Sequence, residues 1–576
     1  MKRTLVAFGI SAAMAASVAA GVHRIPIDTS DDRVESPLRV PLKRIGTLTP
    51  RSVYDVKASN WTIGCETLDR DFANFWEYAE FLEPLGIRRV RLQTGWAKTE
   101  KTNGVYDFAW LDRYVDFFVK RGYEIMLEPG YGNPLYAGSG GWDLGTGFPN
   151  TGDGLAAWDR YVTALVNHYR DRVREWAMWN EASNLWNHDP RLQATWNQKA
   201  QYEHTLRQSD QVFSGDAGVL PSESAEFCRH TSNLILGLQP VAKIACLTLG
   251  STASCDPNGA YVEQALRTFG EDAKRYTWII VHGYNRAPEA AERGIVKIRE
   301  LIARYAPNLR IRQGEQGCPS EFTSRFAMRN WPWSEYSQAK WDMRRMLFDL
   351  GLGIESHVFT ISDFNHRGVF VDGINCKGLV RANARHETIG VKRAYYAVQN
   401  VVSLFDDTLK LSAEPLLKTA DATVRNYTYR KDDGRLVQLF WSYGEGVPYW
   451  TRQPEIRPKA PGDSFETRPI VLAGNVKPLK DPVWVDLFTG RIYAFPKKDW
   501  IADADGVTYM NVPAYDSPCV LTERSVVMDL PAPTRPVLEV FESTRREAEA
   551  ENAARQERST LSDGVKPRAA ADNLDI

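Results

Sequence analysis

Features that would assign this chain to several common functional classes are missing from its 576 residues. Lysine plus arginine (71) nearly balances aspartate plus glutamate (72), so neither nucleic acid nor an anionic membrane surface is indicated as a partner. The seven cysteines form no CxxC pair, and the nine histidines form no HxH or HxxxH cluster. Because zinc sites are usually built from such closely spaced ligands, the sequence predicts no metal site.

Long apolar runs are also missing. After the N-terminus, no segment approaches the roughly 20 uninterrupted apolar residues that span a bilayer. The N-terminus itself has "MKR", then the apolar "TLVAFGISAAMAASVAA", and small residues at 18–20, which is typical of a signal peptide cleaved near Ala20. The alternative is an uncleaved membrane anchor. We therefore expect a secreted or periplasmic protein without stable membrane insertion after cleavage. The scattered cysteines indicate no particular disulfide pairing.

The length predicts two domains. From about residue 60 to 400, short apolar runs alternate with segments of 3.6-residue periodicity, such as 71–86 and 152–170. Strand followed by helix, repeated eight times, predicts a (β/α)8 TIM barrel over residues 56–404. The predicted strands are 61–66, 88–93, 124–130, 175–181, 242–250, 277–285, 310–317 and 355–363.

The pattern changes after Phe405. Alternating β-branched and aromatic residues, with turns at "DDG" and "FTG", predict an antiparallel β-sandwich over 405–526. Residues 21–55 have few apolar clusters and read as an extended lead-in. Residues 527–576 are charged and alanine-rich, and predict a disordered or partly helical tail.

Two glutamates stand at the ends of predicted barrel strands. Glu181 ends the fourth strand in "WNE", and Glu315 ends the seventh in "GE". Since active sites of TIM barrels lie at the C-terminal ends of the strands, both carboxylates should meet at the mouth. Most glycoside hydrolases need two carboxyl groups: one protonates the leaving oxygen, and the other attacks the anomeric carbon or activates water. Taken singly, either glutamate could instead be a salt-bridged or capping residue.

These motifs resemble the clan A retaining glycoside hydrolases, and family 39 and its relatives most of all. "WNE" and "GE" are similar to the acid/base and nucleophile motifs of that clan, in the same order. The segment "RVRLQTGWAKTEKTNGVYDFAWLD" (89–112) resembles the strand-two segment of family 39, and the β-domain resembles the sandwich that accompanies many of these barrels. The resemblance covers about residues 60–525, and its chemistry requires neither a metal nor an organic cofactor.

The resemblance implies roles for individual residues. Glu181 is expected to be the general acid/base and Glu315 the nucleophile, with Asn180 holding the 2-hydroxyl group of the sugar. Tyr284 is expected to donate a hydrogen bond to the nucleophile, and Arg91 to lie beneath it.

Other positions have two interpretations or depart from the family pattern. His282 lines the site or is a packed core histidine, and Cys318 is expected to be structural. Ala182 replaces the usual proline after the acid/base. The candidate sugar platforms are Trp96, Trp142, Trp186 and Tyr131, with Phe359, Phe364 or Asp363 in place of the tryptophan of the eighth strand. Of the further acids, Glu100 belongs to the strand-two motif, and the role of Glu128 is open.

The sequence therefore predicts an exported retaining glycoside hydrolase that cleaves β-linked glycosides or polysaccharides by double displacement. Its partner would be an oligosaccharide or polysaccharide. β-Xylosides, β-glucosides and uronic-acid-containing glycans are all open, because loop shape decides among them. The alternatives are a catalytically inactive carbohydrate-binding barrel, a polysaccharide lyase and a metal-dependent hydrolase.

Overall fold

The computed structural model describes residues 25–139, 148–181, 221–250, 259–367, 372–444 and 458–563. The predicted signal peptide (1–20), together with Trp142, Ala182 and Trp186, lies outside these residues. The strands are β1 (Lys43–Thr47), β2 (Trp61–Gly64), β3 (Arg89–Gln93), β4 (Glu124–Glu128), β5 (Glu175–Ala177), β6 (Lys243–Leu249), β7 (Trp278–His282), β8 (Arg310–Glu315), β9 (Ser356–Val358), β10 (Phe364–Arg367), β11 (Asp372–Asn375), β12 (Val380–Ala382), β13 (Thr388–Val391), β14 (Leu409–Leu411), β15 (Val424–Lys431), β16 (Leu436–Ser442), β17 (Arg468–Gly474), β18 (Pro482–Asp486), β19 (Arg491–Ala494), β20 (Trp500–Asp503), β21 (Gly506–Ala514) and β22 (Cys519–Glu523). The helices are α1 (Trp96–Thr99), α2 (Ala109–Lys120), α3 (Gly152–Tyr169), α4 (Pro221–Leu238), α5 (Ala260–Phe269), α6 (Glu292–Tyr305), α7 (Glu335–Gly351), α8 (Arg393–Leu404), α9 (Arg524–Val527) and α10 (Val537–Asp563).

Strands β2 to β9 form the predicted TIM barrel. They make one parallel eight-stranded sheet in which each strand neighbours the next in sequence, and β9 pairs with β2. A parallel bridge between Arg312 and Glu355 connects β8 to the start of β9 and nearly closes the barrel. All eight predicted strands are present, and each begins at, or one residue after, its predicted start. Seven of the predicted strands run past the observed ends, by one to five residues, and the strand predicted at 88–93 ends at Gln93 as predicted.

The barrel interior is layered because alternate residues of a strand point to the same side. At the N-terminal end, Arg312 pairs with Glu175 (Nη1 to Oε2, 2.8 Å) and with Glu355 (Nη2 to Oε2, 2.6 Å). Above this ionic layer lies a small apolar cluster. Its members are Met126, Ala177, Ala245, Trp278 and Ile280. The apolar cluster separates the ionic layer from the mouth.

The predicted antiparallel β-domain is confirmed as two sheets. One has seven strands in the order β1-β19-β18-β22-β16-β15-β14, and the other has three in the order β17-β21-β20. Along β16, Val437, Leu439 and Trp441 join the main core shared with the barrel, whereas Leu436 and Phe440 join a second core between the two sheets. The seven-stranded sheet is therefore buried on both faces. Its edge strand β1 comes from the predicted lead-in, which is thus partly a strand.

One segment differs from the sequence predictions. The helical pattern of 71–86 forms three short 3-10 helices, Phe75–Glu77, Ala79–Phe81 and Glu83–Leu85, instead of one α-helix. Pro84 lacks the amide hydrogen that a continuous helix needs at this position. The tail was expected to be disordered or partly helical, and Val537–Asp563 is the helix α10.

Helix α10 packs its apolar face onto the 3-10 segment. The side chains of Val537, Val540, Phe541 and Ala548 are buried, at the spacing of one helix face. The Phe541 ring lies 5.1 Å from that of Phe81. The mixed charge of the tail is thus the solvent-facing side of an amphipathic helix, which explains why composition alone left both disorder and helix open.

Two further findings concern the described part of the chain only. None of its helices combines the length and the hydropathy that crossing a bilayer requires. Its six cysteines are all buried, and none forms a disulfide. Cys318 is among them, packed with Met328, Trp333 and Trp341.

Replacing Phe541 with alanine should lower the free energy of unfolding by about 3–5 kcal/mol, because a fully buried ring leaves a cavity. Urea unfolding followed by tryptophan fluorescence measures this. The control is Leu538→Ala on the same helix, where the side chain is 45% exposed and the expected change is within about 0.5 kcal/mol. Equal effects of the two substitutions would contradict the packing of α10.

Candidate active site

The two predicted catalytic glutamates face each other at the C-terminal mouth of the barrel. Glu315 is the last residue of β8, and Glu181 follows β5 by four positions. One carboxylate oxygen of each, together with a ring nitrogen of His282, lie within 4.8 Å of one another. His282 Nδ1 is 2.9 Å from Glu181 Oε1 and 3.4 Å from Glu315 Oε2. Both carboxylates remain partly accessible, with side chains 17% and 14% exposed.

Arg91 is the buried cation of the site. Its Nη1 donates to Glu315 Oε2 (3.1 Å), to Glu66 Oε1 (3.2 Å) and to the carbonyl oxygen of Gly314 (3.1 Å). Its Nη2 donates to Glu128 Oε2 (2.7 Å) and to the Asn180 amide oxygen (2.8 Å). A single guanidinium therefore fixes one oxygen of Glu315 and the side chain of Asn180 in the same frame.

Tyr284 binds the other oxygen of Glu315. The hydroxyl group donates to Glu315 Oε1 at 2.8 Å. Burial, and then the neighbouring Glu315 carboxylate, raise the pKa of Tyr284 well above its usual value, so the phenol keeps its proton and remains a donor. Both oxygens of Glu315 thus receive hydrogen bonds, which fix the orientation of its carboxylate.

Asn180 lies between Arg91 and Tyr131. While its oxygen accepts from Arg91, its Nδ2 donates to the Tyr131 hydroxyl at 3.0 Å. The residues on either side, Trp179 (φ 56°) and Glu181 (φ 50°), adopt left-handed backbone conformations that bulky residues rarely take. The Trp179 ring is buried against Phe227. Tertiary packing thus holds a strained turn at the point where the chain leaves the barrel wall.

Three charged or titratable residues of the site were not assigned a role from the sequence. Glu66 and His357 come from the first and last barrel strands, with His357 Nε2 3.0 Å from Glu66 Oε1. Burial lowers the pKa of His357 and raises that of Glu128, the latter in spite of Arg91. The strand-end rule that found Glu181 also applies to Glu66 and Glu128, so a weak signal for these two was present.

Trp96 is not a sugar platform, which corrects the sequence prediction. Its side chain is 0% exposed, and the ring stacks on Tyr161 (5.4 Å) and on Tyr136 (5.6 Å). Its indole N–H donates to Glu100 Oε2 at 2.6 Å. Trp96 begins the short helix α1, which turns its ring inwards. Tyr131, another candidate platform, is also buried.

The candidates of the eighth strand have structural partners. Phe359 and Phe364 are buried in one cluster with Phe72, against which Tyr284 packs. Asp363 accepts a hydrogen bond from Lys392 at 2.6 Å. These side chains therefore form the wall behind Tyr284 and do not offer a free face for a sugar.

The glycine before the nucleophile has no room for a side chain. A Cβ atom at Gly314 would lie 2.1 Å from Ile280 Cγ2. Its neighbour His282 faces the same barrel interior. This close approach of β8 to β7 brings the carboxylate of Glu315 within reach of His282 and Tyr284.

By distance, the group of Glu181, His282 and Glu315 could hold a metal ion, the one such group found among the described residues. Arg91 already donates to the same oxygen of Glu315 that lies near His282. A second cation on that oxygen would be opposed by the buried guanidinium charge. The donor set therefore fits a pair of reacting carboxylates better than a metal centre.

Comparisons with known proteins find glycoside hydrolases. The sequence model of glycoside hydrolase family 42, described as beta-galactosidase, matches residues 71–135. The structure of a family 39 glycoside hydrolase from the gut symbiont Bacteroides cellulosilyticus WH2 is similar at 14% identity and a TM-score of 0.55, with 83% of each chain covered. A monomeric beta-xylosidase from Caulobacter crescentus CB15 is similar at 16% identity and a TM-score of 0.47, covering 84% of this chain and 98% of that one. A family 30 subfamily 8 xylanase from Clostridium acetobutylicum is similar at 12% identity and a TM-score of 0.45, with 84% and 98% covered.

The chain has the fold of the clan A glycoside hydrolases. The likeness to the family 39 structure carries this assignment, since its TM-score is above 0.5. The resemblance of the sequence motifs to clan A is thereby confirmed at the level of the fold.

Replacing Arg91 with methionine should destabilise the protein by about 3–5 kcal/mol near neutral pH, because buried carboxylates lose their shared cation. Without Arg91 the pKa of Glu128, already above its usual 4.5, should rise further. A carboxyl group whose pKa is raised in the folded state costs stability only above its unfolded pKa. The deficit should therefore be smaller at pH 4 than at pH 7, as measured by urea unfolding at both values.

The control for this experiment is Arg172→Met, which removes a partly exposed guanidinium paired with Asp112 and Asp116. It should cost about 1 kcal/mol or less. A deficit of the Arg91 variant that is the same at both pH values would contradict the proposed electrostatic cause.

Proposed function

We propose that the chain is an exported retaining glycoside hydrolase that acts on β-linked glycosides or polysaccharides. The observation that carries the proposal is the short spacing of Glu181 and Glu315, since one oxygen of each carboxylate lies within 4.8 Å of one oxygen of the other. Retaining enzymes have their carboxyl groups about 5–5.5 Å apart, whereas inverting enzymes need about 6.5–9.5 Å to admit a water molecule. Export is supported by the signal-like pattern of residues 1–20.

The environments of the two carboxylates support different roles. Glu315 receives hydrogen bonds from Arg91 and Tyr284, which hold its carboxylate in position to act as a nucleophile. Glu181 faces this anion across the mouth, and a carboxyl group opposite another carboxylate retains its proton more readily. Glu315 is therefore the nucleophile, and Glu181 is the general acid and base.

In the first step Glu181 gives its proton to the glycosidic oxygen while Glu315 attacks the anomeric carbon, so that the C–O bond breaks and a glycosyl-enzyme ester forms. In the second step Glu181 takes a proton from water, which displaces Glu315 and restores both carboxyl groups. Two inversions give net retention. Asn180, held by Arg91 and Tyr131, is placed to bind the 2-hydroxyl group as the oxocarbenium-like transition state develops.

Glu315→Ala and Glu181→Ala should each lower turnover of aryl β-glycosides by about two to four orders of magnitude, because each removes a group that acts in the transition state. Azide should restore activity to the Glu181 variant alone and give a glycosyl azide of retained configuration. Proton NMR of the first-formed product identifies the anomer. The control is Glu124→Gln at the opposite end of the barrel, where the side chain is 59% exposed and no change is expected.

Three outcomes would contradict this proposal. Unchanged turnover in either alanine variant removes the assigned roles. A product that absorbs in the ultraviolet through a new double bond indicates a lyase. Binding without cleavage, across a panel of aryl glycosides and of plant and algal polysaccharides, indicates a carbohydrate-binding barrel.

A further inference from the structure

Lys377 is a buried cation without a counter-charge. It lies between β11 and β12, in the region that follows the last barrel strand, and it is 2% exposed. Its Nζ donates to Asn375 Oδ1 at 3.2 Å, and no carboxylate of the described residues lies within ion-pair distance. Nearby Lys392 is equally buried but pairs with Asp363 at 2.6 Å. Because a buried ammonium is costly unless it is paired, the isolation of Lys377 requires an explanation.

The position of Lys377 connects it to the nucleophile. Its Nζ lies 5.6 Å from the centre of the Tyr284 ring, and the hydroxyl of the same ring binds Glu315. On the other side it lies 5.5 Å from the centre of the half-buried Phe326 ring. The aromatic faces attract the ammonium weakly but do not neutralise its charge. The cation thus lies beside the residue that holds the nucleophile.

The groups around Lys377 leave its charge uncompensated near neutral pH. Burial lowers the pKa of Lys377 to about 8, and the carboxylates of Glu315 and Asp363 with the thiols of Cys318 and Cys376 only partly oppose this effect. His366, which stacks on Phe326, adds no second positive charge, since burial and two nearby cations, Arg70 and Lys377, lower its pKa to about 3. Lys377 is therefore mostly an ammonium at pH 7, with two N–H donors beyond its bond to Asn375.

We propose that Lys377 binds an anionic substituent, a carboxylate or a sulfate ester, on the sugar that Glu315 attacks. The inference rests on the proposed function of the same site. In this proposal a sugar with its anomeric carbon at Glu315 lies beside Tyr284, whose hydroxyl binds Glu315 and whose ring centre is 5.6 Å from the Lys377 ammonium. An anionic group at the far edge of that ring supplies the missing counter-charge through charge-assisted hydrogen bonds. Neutral sugars leave the ammonium unpaired.

The test compares sugars that differ only in charge. Calorimetric titration of the Glu181→Gln protein with methyl β-glucuronide and β-glucoside, and with the matched galacturonide and galactoside, measures affinity without turnover. We expect the anionic member of at least one pair to bind about tenfold or more tightly, the usual effect of a hydrogen bond to a charged group. The 6-sulfate of each neutral glycoside distinguishes a carboxylate from a sulfate ester.

Variants of the lysine separate recognition from structure. In Lys377→Met the tenfold preference should vanish while affinity for the neutral member stays within about twofold, and Lys377→Arg should keep part of the preference. The control is Lys98→Met, which removes an ammonium that is already paired with Asp71 at 2.7 Å and should change neither affinity. The proposal is overturned if the Glu181→Gln protein, with Lys377 in place, binds both members of every pair equally. It is also overturned if Lys377→Met lowers the affinity for the anionic and the neutral sugar by the same factor.

The pH dependence of sugar binding by the Glu181→Gln protein gives a second readout, which needs no substitution of Lys377. Lys377 carries its charge below its pKa of about 8 and loses it above. The affinity ratio of anionic to neutral sugar should therefore be constant from pH 6 to 7 and fall above about pH 8. A ratio that is unchanged up to pH 9.5 overturns the proposal.

Hydrolysis assays keep this proposal distinct from the proposed function. Cleavage of neutral glycosides that depends on Glu315, without any preference for anionic sugars, leaves the enzyme assignment intact and removes the role of Lys377. Preferential binding of anionic sugars without any cleavage supports the role of Lys377 and removes the enzyme assignment.

Discussion

The candidate active site depends on the buried guanidinium of Arg91. One cation contacts Glu66, Glu128 and Glu315, and the same group fixes the amide of Asn180. A guanidinium presents its donors in a rigid planar fork, so a shift of any partner displaces the others. Burial raises the pKa of Glu128, and the charge of Arg91 opposes this shift without cancelling it. Arg91 thus sets the geometry of the mouth and supplies the positive charge that its three carboxylates share.

The barrel makes this arrangement possible through the two-residue period of its strands. Arg89 and Arg91 stand two positions apart on β3 and reach opposite ends of the same interior. Arg89 joins the ionic layer at the N-terminal end, where Glu355 accepts from it at 2.9 Å. The apolar cluster between the layers keeps the two charged networks apart. The ionic layer fills the N-terminal end of the barrel, and the network around Arg91 forms the candidate active site at the C-terminal end.

Much of this could be predicted from the sequence because it depends on local pattern. The eight strands are short apolar runs, and Glu181 and Glu315 follow from their position at strand ends, so periodicity alone located them. Trp96 was misassigned because an aromatic residue at the start of a top-face loop has the same local signal whether its ring points out or in. Sequence patterns could not decide whether the tail folds into α10, because this helix packs on a distant segment, the 3-10 helices around Phe81.

Lys377 shows most clearly what sequence patterns miss. It stands outside any barrel strand, and only the strand pairs β10–β11 and β12–β13 bring it to Tyr284. The mouth otherwise has an excess of carboxylates over cations, which would repel an anionic sugar. A cation placed beside the nucleophile, yet not paired with it, offsets this repulsion at one point of the ring. Since the barrel strands carry the shared chemistry, and added loops decide the substrate, the region after β9 is where this chain can differ from others with its fold.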